Sequence, residues 1–277
     1  MSHRISPMSD VTTSPVTTSE IDNVFGDGRS GGALLPAATA TAEWRRYLGF
    51  LRRPVLPETV GDAAQPAKAS LRMLGLDLII MTAFIGVLMA IVATGVELPE
   101  NLNSTLEMNL LTVALVVVVA PVMEEVVFRS WLSGKPGYLV ALGVLVASGL
   151  VAAMFAASNT GDDAQMRAGG AVIAGLLVAA AILFALRKRP PMRWFRTFFP
   201  ALFWVSTLAF ALVHLFNYTE GASAILLPLV LPQFVLGSMA AYVRVHYGLS
   251  FAIGLHAAHN GFALGIAALA MSAGLEG

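Results

Sequence analysis

From about residue 73 onward the chain alternates between apolar runs of some twenty residues and short polar stretches. A run of about 20 apolar residues is the length at which a helix crosses the hydrocarbon core of a bilayer. The runs fall at 73–96, 109–132, 138–157, 169–187, 198–217, 224–243 and 249–272. They predict an all-α fold, a polytopic transmembrane helix bundle of about seven spans. Ahead of them, residues 1–40 are rich in Ser, Thr, Gly and Asp and poor in large apolar side chains, which predicts a disordered tail. Residues 41–53, TAEWRRYLGFLRR, interleave Trp44, Tyr47, Phe50 and Leu51 with four arginines. That pattern suits a short amphipathic helix on an anionic membrane surface, or a basic flank ahead of the first span. Pro54, Pro57 and Pro66 mark a linker. The expected division is therefore a cytosolic tail over 1–70 and a transmembrane domain over 71–277, with no internal repeat.

Composition agrees with the pattern. Hydrophobic residues make up 57% of the chain and charged residues 12%, half of the roughly 25% usual in soluble domains. Net charge is zero, so nothing argues for a nucleic-acid partner. There is no cysteine, which excludes disulfides, thiolate catalysis and Cys-ligated zinc. The first 30 residues hold no apolar core segment, so no cleavable signal peptide is expected. Positive charge sits on alternate connections. It includes Arg45, Arg46, Arg52, Arg53, Lys68 and Arg72 before the first span, Lys135 after the second, Arg187, Lys188, Arg189, Arg193 and Arg196 after the fourth, and Arg244 after the sixth. This distribution predicts a cytosolic N-terminus. The expected location is the bacterial inner membrane, with the lipid bilayer as the surrounding partner.

Charged and polar residues within spans are costly, on the order of 2.5–3.5 kcal/mol for a charge at the centre of a span. The second span carries Glu124, Glu125 and Arg129, the fifth His214, and the seventh His256, His259 and Asn260. Glu125 and Arg129 are one turn apart and can pair. Glu124 points about 100° away around the helix and has no local cation, which makes it a candidate general base. Pro121 can kink the helix beside it. Phe210 lies one turn before His214 and can pack on its ring. His256 and Asn260 share a face, and His259 can border it. Asp77, near the end of the first span, is expected to be wet. Singly, each of these features suits a packing role; together, on three helices, they predict a polar pocket inside the bundle.

The three sets form ordered motifs. EExxxR is matched by Glu124, Glu125 and Arg129 within APVMEEVVFR, FxxxH by Phe210 and His214, and HxxxN by His256 and Asn260. The stretch before the third motif, with Gly237, Tyr242, Arg244, Gly248, Leu249 and Ser250, is also similar. In these features the chain resembles the CPBP family, named for CAAX proteases and bacteriocin-processing enzymes and also called ABI. The resemblance implies a metal-independent intramembrane endopeptidase acting on a membrane-associated peptide or protein, with no cofactor. It assigns Glu124 to activating a water, His214 to holding and activating that water, and His256 with Asn260 to stabilising the oxyanion. Glu125 and Arg129 would shape the site. Many members join the first two motif helices almost directly; here the spans at 138–157 and 169–187 stand between them.

Two rival readings remain. Glu124, His214 and His256 could hold zinc as an open three-ligand site, although the helical signature HExxH is missing. Alternatively, buried carboxylates and histidines could belong to a transporter or to an inactive scaffold. Depth sets a geometric condition on the peptidase reading. Counted from Arg196, His214 lies roughly 27 Å along its helix, whereas Glu124 lies only about five residues in from Arg129. The two meet only if the fifth span tilts or starts late.

Overall fold

The computed structural model describes residues 37–102, 107–158, 162–219, 221 and 223–272. Nine helical elements are found among them. α1 is Ala40–Arg52 and α2 is Pro66–Val92. α3, Leu110–Ser133, passes from α-helix through a π-helical turn at Leu115–Val119 and closes in a 3₁₀ turn at Ser130–Ser133. α4 is Pro136–Ser158 and α5 is Asp162–Leu186. α6, Arg193–Asn217, ends in a 3₁₀ turn that begins at His214. α7 is Ser223–Leu229, α8 is Leu231–Tyr247 and α9 is Leu249–Ser272. The described residues contain no strand, only an isolated bridge between Asn101 and Tyr218.

Among the described residues six helices, α2 to α6 and α9, are long and apolar enough to cross a membrane. The chain is an integral membrane protein. The span expected at 224–243 takes a different form. Pro228 and Pro232 lie on either side of Val230, whose backbone (φ −100°, ψ 8°) breaks the helix. Beyond the break runs α8, 17 residues long and buried on every side from Leu236 to Val245. A helix enclosed by other helices has no lipid-facing side to keep apolar, so α8 can carry Ser238, Arg244 and His246.

α1 forms where the aromatic and arginine pattern placed it. The Thr39 hydroxyl caps it by accepting from Ala42 N–H at 3.1 Å. It lies within one compact unit with the spans, Gly31–Gly277. Glu43 is fully buried, and its Oε1 accepts from both Tyr242 and Tyr247 hydroxyls at 2.7 Å. Tyr47 hydrogen-bonds to Ser238. Burial, reinforced by the Asp77 charge and opposed by the Ser238 bond, pushes the Tyr47 hydroxyl up to about 12. The segment after α1 is also tied down, with Gly61 N–H donating to the Val245 carbonyl and Ala63 N–H to that of His246. The expected tail over residues 1–36 lies outside the described residues.

α4 and α5 pack along each other through small residues. A Cβ on Gly175 would overlap the Ser148 side chain, and one on Gly137 would press on Leu186. The pair's main contact with the rest of the bundle is at the 3₁₀ turn of α3. Its two ends lie together, since Met192 N–H donates to the Gly134 carbonyl at 2.9 Å. The two spans standing between the motifs are thus a side arm, which leaves α3 and α6 free to meet.

Candidate active site

α3, α6, α8 and α9 build the site. Glu125 is its buried hub. Its Oε1 accepts from Arg129 Nη1 and from His256 Nδ1, each at 2.9 Å. Glu125, Arg129 and His256 are all essentially inaccessible. The Arg129 guanidinium lies 3.7 Å above the Phe210 ring, a favourable cation–π placement in an apolar setting. The same ring meets His214 and His256 edge-on, at 4.8 and 5.5 Å between centroids. Phe210 therefore wedges both imidazoles and the guanidinium. Gly237 on α8 allows this packing: a Cβ there would sit 2.9 Å from Arg129 Nη2 and from Phe210 Cδ1.

Glu124 points elsewhere, as its helical position requires. Its Oε2 lies 3.8 Å from His214 Nε2 and 3.7 Å from His256 Nε2. Neither distance is a hydrogen bond, and among the described residues this oxygen has no hydrogen-bond partner. The outer nitrogens of the two rings are committed. His214 Nδ1–H donates to the Phe210 carbonyl at 2.7 Å, and His256 Nδ1 bonds to Glu125. Both Nε2 atoms therefore face Glu124. The Glu124 side chain is 29% exposed and that of His214 16%, so the site opens on this side while its hub stays dry.

The depth condition is met, and the reason is visible at Arg196. Its guanidinium donates to the carbonyls of Leu56, Pro57 and Glu58, so it is anchored to the segment after α1. The first turns of α6 are packed beneath the end of α3, against Leu56 and Leu132. Ser206 Oγ then donates to the Phe128 carbonyl at 2.6 Å, and two turns further His214 reaches the level of Glu124.

Two polar residues sit differently from expectation. Asn260 does not turn to Glu124. Among the described residues its one hydrogen bond runs from Nδ2 to the Val116 carbonyl, at 2.9 Å. Val116 lies in the π-helical turn, which precedes Pro121 and has Ala120 N–H bonding back to Leu115. Asp77 is not wet: it is fully buried and pairs with His259, so His259 faces α2 rather than the site. The sequence reads Arg244 as a basic residue on the connection after the sixth span and as part of a similar stretch, but it lies inside α8. It is buried and donates to the carbonyls of Arg129 and Ser130 at 3.2 and 2.9 Å, clasping the end of the helix that carries both carboxylates. Among the described residues no group of three or more His, Cys, Asp or Glu side chains is arranged to hold a metal ion.

The family model for type II CAAX prenyl endopeptidase Rce1-like proteins matches residues 106–262. The chain belongs to this family. The match runs from just before α3 to α9 and contains all three motifs, so the CPBP resemblance and the protease class both stand. No curated protein and no solved structure matches the chain. In this Rce1-like chain α1 and α2 lie before the matched region, yet Glu43, Tyr47 and Asp77 reach from them into α8 and α9.

Proposed function

We infer that this Rce1-like chain is an intramembrane endopeptidase in which Glu124 activates a water for attack on a peptide carbonyl. The carrying observation is the position of Glu124 Oε2, unpartnered among the described residues and 3.7–3.8 Å from two imidazole Nε2 atoms. These gaps exceed a direct hydrogen bond and suit groups that share a third atom. Glu124 takes a proton from the water while the hydroxide oxygen bonds to the carbonyl carbon. His214, with Nδ1–H held by a carbonyl, offers Nε2 to the same water. His256, when protonated, directs Nε2–H at the developing oxyanion, and Glu125 balances its charge. Collapse of the tetrahedral intermediate breaks the C–N bond, and the proton held by Glu124 passes to the leaving amine. Arg129 and Phe210 keep the imidazoles in place. Asn260 contributes by holding the π-helical turn of α3, and its second amide hydrogen remains available to an oxyanion.

The family description supports a substrate of the prenylated CAAX class, presented from the bilayer. The alternating basic connections support a cytosolic α1 end, and the reading takes the membrane to be a bacterial inner membrane. The test uses purified protein in detergent and a prenylated CAAX peptide, together with a comparison of membrane peptides in cells carrying the native chain or Glu124→Gln. The expected result is cleavage, or a depleted set of membrane peptides, that Glu124→Gln abolishes. A Glu124→Gln protein with native activity overturns the reading. Activity lost to chelator and restored by zinc would instead support the three-ligand metal site.

A further inference from the structure

A second buried acid–histidine pair lies on the neighbouring face of α9, where it meets α2. Asp77 Oδ2 accepts from His259 Nδ1 at 2.7 Å, with the Asp77 side chain fully inaccessible and that of His259 10% exposed. Asp77 Oδ1 is buried and has no hydrogen-bond partner among the described residues. Ionisable groups at membrane depth carry a desolvation cost that pairing only partly recovers. A pair of this kind is weak evidence for stability; its best-attested use is to select one arrangement of helices among several.

The placement shows which arrangement is selected. His259 is three residues after His256, so the two rings leave α9 about 60° apart. One ring is fixed to α2 and the other to Glu125 on α3. α9 is small-sided around the pair, with Ala257, Ala258, Gly254 and Gly261, so its polar anchors carry much of the resistance to rotation or sliding. Asn260 leaves α9 about 40° from His256, on the side away from His259, and reaches the Val116 carbonyl of α3.

We propose that Asp77 is a positioning residue: through His259 it fixes the rotation of α9, and so sets where His256 Nε2 stands relative to Glu124. Asp77 lies outside the family-matched region, so the chain supplies from its own first span a constraint on the catalytic helix. The effect on turnover rests on the peptidase reading; the effect on helix geometry does not.

The experiment reads the two separately. The chain has no cysteine, so an engineered pair is a clean reporter. A Cβ on Gly261 would lie 3.7 Å from Val117 Cγ1, which places Val117→Cys and Gly261→Cys within cross-linking reach across α3 and α9. In the Glu124→Gln background, oxidative cross-linking is compared for native Asp77, Asp77→Asn, and the double variant Asp77→Leu/His259→Phe. The double variant strands no polar group and keeps the volume apolar, so it folds without the pair. The expected result is at least a threefold fall in cross-link yield for the double variant and near-native yield for Asp77→Asn, which still accepts from Nδ1–H. With Glu124 and the native Val117 and Gly261 restored, the double variant cleaves the prenylated CAAX peptide with kcat at least tenfold lower and KM within about twofold, the signature of a misplaced transition-state group. Native yield in the double variant overturns the proposal, as does native kcat. If the native chain leaves the peptide uncut, the cross-link yields alone decide, and the peptidase reading fails independently.

Discussion

α8 and the α4–α5 arm are opposites in construction. The arm is the more apolar, yet only 6% of its α4 window is buried, against 33% for the window of α6, which packs on α8. α8 is shorter and carries Ser238, Arg244 and His246, yet it is enclosed from Leu236 to Val245. In water the ranking would be reversed. In a bilayer, apolar surface gains little by leaving lipid, so close packing and polar anchors decide which helix sits inside. The arm has one tight seam, at Gly175 and Ser148. α8 has a glycine against Phe210 and Arg129, an arginine on two carbonyls, and hydroxyls on a buried glutamate.

Substitutions on the two sides of this contrast should differ steeply. Glu124→Gln in the site that α8 supports is expected to lower peptide cleavage by about 10³-fold or more, with thermal unfolding in detergent unchanged; cleavage assays and a melting curve check both. Gly237→Val is expected to displace Phe210 and Arg129, costing about 1–3 kcal/mol by overpacking and reducing kcat by about tenfold or more. Arg244→Leu strands two carbonyls at the end of α3, and a loss of about 2–4 kcal/mol is expected from charge-assisted bonds of this kind, read as a lower melting temperature. On the arm, Gly175→Val should separate α4 from α5 without touching catalysis: proteolysis within α4 and α5 would increase while kcat stays within about twofold. The largest change is also expected to have little effect. Because Gly134 and Met192 are hydrogen-bonded, replacing Lys135–Pro191 by a short Gly/Ser linker should leave kcat within a few-fold. Loss of all activity there would show that the arm is part of the catalytic unit after all.

The spans are legible in the sequence because apolar length is a local property. The pairing of Glu125 with Arg129 is legible for the same reason, since one helical turn fixes it. The helices at 224–243 look like one span in the sequence because the break depends on Val230 between two prolines, and the enclosure of α8 depends on its neighbours. Arg196 reads as a boundary marker because an arginine in a basic cluster near a span end looks the same in sequence whether it meets headgroups or three backbone carbonyls. Asp77 looks wet for a similar reason: its partner is 182 positions away in the chain.

By itself, then, the sequence determined the membrane class, the helical segments and the residue types of the site. These come from hydropathy and from spacing within single helices. Only the tertiary structure decided that His214 and His256 turn Nε2 to Glu124, that Asn260 answers to Val116, and that α1 and α2 reach into α8 and α9. Each of those depends on the tilt and rotation of one helix against another. A side chain's order along its own helix carries no information about that relation.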